Sequence, residues 1–71
     1  MRYRQYNCTC NLGGYLYRVT VVAEDESEAR EIAAEAADRK WGYGLARANW
    51  RAALVISDVS GPARVLDATY I

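Results

Sequence analysis

The sequence predicts a small α+β domain, with four strands and one helix in the order ββαββ. The helix, over about residues 26–40, lies on one face of a mainly antiparallel sheet. Three observations carry this. Tyr15, Tyr17, Val19, Val21 and Ala23 recur at period two, the spacing of a half-buried strand. An alanine-rich, acid-studded segment follows at once, with apolar residues at helical spacing. Paired glycines at 13 and 14 separate two strand-like runs and supply the positive φ of a tight hairpin turn.

The first strand is expected over residues 2–10. Tyr6, Cys8 and Cys10 share one of its faces; Tyr3, Gln5, Asn7 and Thr9 share the other, which reads as solvated. Residues 11–14 form the turn, and the second strand covers about 15–24. Asp25 is a good N-cap, and Glu28 three residues later completes a capping-box pattern. Acids crowd the first turn, where the helix dipole favours them. Ala29, Ile32, Ala33, Ala36 and the stem of Lys40 make the apolar stripe, with Ile32 as its large anchor. Most of the stripe is alanine, so the helix can approach the sheet closely. Glu26 with Arg30, and Glu35 with Arg39, are i,i+4 pairs in the favourable orientation. Gly42 marks the stop.

Residues 41–45, Trp-Gly-Tyr-Gly-Leu, form an aromatic–glycine loop. Alanines at 46, 48, 52 and 53 suit a short second helix. A loop leading into a strand at about 49–57 accounts better for the alternation of Ala52, Leu54 and Ile56 with Ala53, Val55 and Ser57. Residues 58–62 make a turn, with Pro62 and a Ser-Gly pair. A last strand covers about 63–70.

With 71 residues, the chain is expected to form one domain. A core of this size contributes only about 3–5 kcal/mol of net stability, so dimerisation is an open option. No apolar run approaches the length of a membrane span. The first residues lack the apolar stretch of a signal peptide, and the default compartment is the cytoplasm.

Histidine is absent, which removes the commonest general base and metal ligand. Cys8 and Cys10 would lie on one face of a strand, about 6.5–7 Å apart at Cα, at or beyond disulfide reach. They read as small buried hydrophobes. No phosphate-binding, nucleophile-elbow, zinc-protease or dinucleotide motif occurs. No catalytic residue, cofactor or metal is expected.

The charge is neutral overall but sorted. Residues 1–23 carry +3, residues 24–38 carry −6 and residues 39–71 carry +3. An acidic helix is flanked by basic segments, so two faces of opposite sign can steer a partner. Six Tyr and two Trp occur without Phe, and Arg outnumbers Lys eight to one. Tyr, Trp and Arg are the residues enriched at binding hot spots. The candidate partner-binding residues are Arg2, Tyr3, Arg4, Trp41, Tyr43, Arg47 and Arg51. Glu28, Glu31 and Glu35 form a candidate acidic contact, or the ordinary solvated face of the helix. Tyr17 and Trp50 are the aromatic residues expected in the core.

The pattern Tyr17-x-Val19-x-Val21-x-Ala23-x-Asp25, then Ser27-Glu28-Ala29-Arg30-x-x-Ala33, resembles one found in small phage and mobile-element proteins. Among these are short type I anti-CRISPR proteins built from a small antiparallel sheet and one helix. The similarity covers about residues 15–37. It implies a non-enzymatic inhibitor that binds a host nucleic-acid-handling complex and blocks nucleic-acid access or nuclease recruitment. It carries over no site residues, since the chain from Trp41 onward lies outside it. Two other readings stand beside it. One is a nucleic-acid-binding module using the open sheet face, with bases stacked on aromatic rings and phosphates on arginines. The other is a homodimer that pairs sheet faces or edges.

Overall fold

The computed structural model describes residues 3–71. Their order is the predicted one: β1 (Tyr3–Leu12), β2 (Tyr15–Ala23), α1 (Glu26–Trp41), β3 (Arg51–Val59) and β4 (Arg64–Tyr70). A single 3-10 turn, Leu45–Arg47, lies between α1 and β3. Every strand pairing is antiparallel, and the sheet order is β3-β1-β2-β4. The hairpin is therefore the centre of the sheet, and the two later strands add to its outer sides.

Local chemistry fixes the hairpin. Leu12 pairs with Tyr15, so only Gly13 and Gly14 turn, at φ 60° and 84°. Two positive-φ residues make the tight turn whose twist matches the flanking strands. Asn11 and Leu12, expected in the turn, continue the ladder instead, because two glycines suffice.

Residues paired across a ladder share a face. Tyr6, Cys8 and Cys10 thus line up with Val21, Val19 and Tyr17, and all six are buried under α1. Ala29, Ala33 and Ala37 of the helix are fully buried against them, with Ala34 nearly so. The approach is close enough for the Cys8 thiol to donate to the Ala29 carbonyl at 3.5 Å. Ile32 and Ala36 lie only half-buried at the flank of this contact. The helix is turned so that its smallest side chains meet the sheet; a central Ile32 would hold it farther off. Lys40 does not lay its stem in the core. It is exposed, and its ammonium donates to the Ala68 carbonyl at 3.3 Å.

The helix ends follow the sequence closely. The Glu28 N–H donates to Asp25 Oδ1 at 2.8 Å. Glu28 Oε1 accepts from the Glu24 N–H at 2.8 Å, one residue before the usual capping-box donor. Gly42 closes the last turn by donating to the Asp38 carbonyl at 2.8 Å. The two predicted ion pairs form at 3.7 and 3.9 Å on the exposed side.

Beyond α1 the chain folds back on itself. Leu45 is fully buried, and the Trp50 indole donates to the Leu45 carbonyl at 2.7 Å. Tyr17 and Trp50 are core residues, as the sequence predicts.

Residues 60–63 then connect the two edge strands. They span two intervening strands, about 14 Å at ordinary strand spacing. The five steps from Val59 to Arg64 reach about 17 Å when extended, so the connection is a taut strap. Tyr3 packs its ring against Gly61, leaving no room there for a Cβ. Val22, paired with Gln5, is buried on the same outer face, and Gln5, Asn7, Thr9, Arg18, Thr20 and Asp67 also lie on it. Thr20 Oγ1 donates to Asn7 Oδ1 at 2.9 Å.

Candidate partner-binding cleft

The inward positions of β2 end in two tyrosines, Tyr15 and Tyr17. The register of β4 sets Tyr70 directly beside Tyr17. The last residue of α1, Trp41, arrives over the same spot. Four rings result, with Tyr15 and Trp41 each packed on both Tyr17 and Tyr70. Trp41 lies 5.1 Å from Tyr17 and 5.7 Å from Tyr70, nearly edge-on to the latter at 85°. Tyr15 lies 6.3 Å from Tyr17 and 5.7 Å from Tyr70. Tyr17 and Tyr70 are 5.8 Å apart. Such tilted and edge-to-face pairs each contribute about 0.5–1.5 kcal/mol beyond area burial.

Tyr43 adds a fifth ring. It sits between Gly42 and Gly44, and all three have φ between 64° and 77°. A tyrosine in the left-handed region is uncommon and strained. The effect is to hold Tyr43 off the body of the protein, 80% exposed. Leu12 and Gly13 at the hairpin tip close the other side. The open cleft has a volume of about 590 Å³, and among the described residues no charged side chain lines it. Lys40 stands at its edge, with Nζ 5.4 Å from the Trp41 ring centroid. Burial pushes the Tyr17 hydroxyl pKa above its ordinary value, with the Tyr43, Tyr15 and Tyr70 phenols adding in the same direction. Tyr17 therefore stays a hydroxyl, and a hydrogen-bond donor, through the neutral range.

Of the candidate residues read from the sequence, the structure brings only Trp41 and Tyr43 together here. Tyr3 and Arg4 lie at the opposite end of β1, about 23 Å from Cys10 at 3.3 Å per residue. Arg4 donates to the Glu24 carbonyl at 2.7 Å and ties β1 to the helix entry. Arg51 is paired with Thr9, on the outer face. Arg47 is exposed in the 3-10 turn. Arg2 lies outside the described residues. Glu28 is committed to capping α1. Glu31 and Glu35 do meet, in a second groove of about 510 Å³ that they share with Arg30 and Trp50. Sequence reasoning missed Tyr15 and Tyr70. Tyr15 shares the parity of Tyr17, which is a usable signal. Tyr70 needed the register of β4.

The cysteines are free and buried. Burial pushes the Cys8 thiol up to about 11, slightly offset by Arg30. Among the described residues no three His, Cys, Asp or Glu side chains gather to hold a metal ion. Among them, too, no helix is long and apolar enough to cross a membrane. Comparison with protein-family models, with curated proteins and with solved structures found no match to this chain.

Proposed function

We propose that this chain is a non-enzymatic protein-interaction module whose partner docks in the aromatic cleft. One observation carries the reading: side chains from β1, β2, α1, β4 and the loop after α1 converge on a single uncharged, tyrosine-rich concavity. Tyr and Trp offer large rigid contact area with a polar tip, which suits an interface that must also tolerate water. In this reading the partner is a host nucleic-acid-handling complex and the chain is its phage or mobile-element inhibitor. The support for that finer statement is the pattern across residues 15–37 and the sorted charge.

The nucleic-acid-binding alternative needs rings and cations on one surface. Here the ring cluster lies on the helix side, while Arg18 and Arg51 project from the outer face. That separation supports the protein-partner reading over the nucleic-acid one.

The test is affinity capture from a nuclease-treated bacterial lysate with tagged chain, read by mass spectrometry. A stoichiometric protein complex is expected that is kept by Tyr3→Ala and lost by Tyr43→Asn. Asparagine suits the left-handed backbone at 43 better than most residues, so this change removes the ring and spares the fold. Equal capture by Tyr43→Asn would overturn the cleft as the docking site. Recovery that vanishes on nuclease treatment would favour the nucleic-acid module.

A further inference from the structure

We propose that the cleft takes a proline-rich segment in the polyproline II conformation. This rests on the cleft being the docking site and adds the chemistry of its occupant. Three features of the cleft point there.

The first is spacing. Tyr15 and Trp41 each pack on both Tyr17 and Tyr70. The four rings form a rhomb whose short diagonal is the 5.8 Å between Tyr17 and Tyr70. Its edges of 5.1 to 6.3 Å put Tyr15 and Trp41 at the far corners, at most about 10 Å apart, and one turn of polyproline II rises about 9 Å. At that full spread, successive turns of such a helix seat a ring apiece against the two corners.

The second is hydrogen-bond complementarity. A proline segment has carbonyl acceptors and no N–H donors. The cleft presents phenol hydroxyls, which are protonated and able to donate at neutral pH, and no charged lining. A segment with charge at its centre would bury it against an uncharged lining, with Lys40 at the edge the one cation near enough to pair an anion.

The third is that the floor of the cleft, β2, offers no sheet edge. An extended peptide could bind by adding a strand, but β2 is already paired on both sides, by β1 and β4. The cleft floor thus offers no edge for strand addition, which only the outer side of β4 could take, whereas polyproline II needs none and arrives already ordered.

The experiment is a titration of isotope-labelled chain with a capped decaproline peptide, followed by NMR. A capped glycine–serine peptide of equal length is the control. Saturable shifts are expected at Gly13, Trp41, Tyr43 and Tyr70, with Kd in the range of about 0.1–1 mM. Tyr43→Asn is expected to weaken binding by about tenfold or more, and Tyr3→Ala to leave it unchanged. No saturation at about 5 mM peptide, equal shifts with the control, or undiminished binding by Tyr43→Asn would each overturn the inference. The two readings fail separately. If decaproline fails while Tyr43→Asn still abolishes partner capture, the occupant is wrong and the docking site stands. If partner capture survives Tyr43→Asn, the docking site falls and this inference falls with it.

Discussion

β2 and β4 are neighbours in the sheet, and at three paired levels each puts an apolar side chain toward the helix. Tyr17 stands beside Tyr70, Val19 beside Ala68 and Val21 beside Val65. The β2 members are buried, while Val65 is 41% exposed and Tyr70 52%. β3 behaves like β4. Leu54, Val55 and Ile56 are all exposed, and no residue of either edge strand is fully buried. Position, rather than pattern, separates the two regions. A central strand has a neighbour on each side and α1 above it; an edge strand has one neighbour and lies near the rim of the helix. Alternation tells which way a side chain points. It does not tell how much water it keeps.

That contrast can be broken at its strong end first. Leu45 is fully buried between the helix and the turn before β3. Leu45→Ala is expected to cost about 2–5 kcal/mol, most of the stability of so small a core. Chemical denaturation would show the variant largely unfolded without denaturant. A matched pair comes next. Val19→Ala should cost about 2 kcal/mol and Val65→Ala under about 1. Equal losses would mean that the edge is as tightly packed in solution as the centre.

Stability should also report on the centre through pH. The folded Cys8 thiol titrates near 11 against an ordinary 9.0, so the folded state holds a proton that the unfolded state has released. Stability is then level below about pH 9 and falls as pH rises from about 9 to 11. Cys8→Ala should lessen that fall, to which Cys10 and Tyr17, both pushed up by burial, also contribute, and urea melts across the range would show it. Next in size, Asp25→Ala removes the side-chain acceptor for Glu28 and should cost about 1 kcal/mol. Smallest is Leu54→Ser on the exposed edge, expected within about 0.5 kcal/mol and readable as an unchanged melting midpoint.

The parts of this fold that were legible are those decided by near neighbours. Gly13-Gly14, the Asp25 cap, the Gly42 stop and the inward face of β1 need only a few residues of context. The sheet order did not show, because Tyr3 meets Val59 and Tyr17 meets Tyr70 across most of the chain. The cleft was half visible for the same reason. Trp41 and Tyr43 drew attention as loop aromatics beside glycines. Tyr70 joined them only once β4 had a register. The Arg4 bond to the Glu24 carbonyl is equally hidden from a linear reading, because it joins residues twenty apart in the chain. Ile32 misled through its size: a tight interface favoured its smaller neighbours on the same helix.

The taut strap over residues 60–63 makes the two edges one unit. Once β3 has paired with β1, β4 is presented to β2 as an intramolecular partner, at an effective concentration in the millimolar range. The edges then come and go together, and hydrogen exchange should find their amides opening at one common free energy. The cleft inherits this coupling. It draws Tyr70 from β4, so loosening β3, on the far side of the sheet, is expected to loosen its binding surface as well.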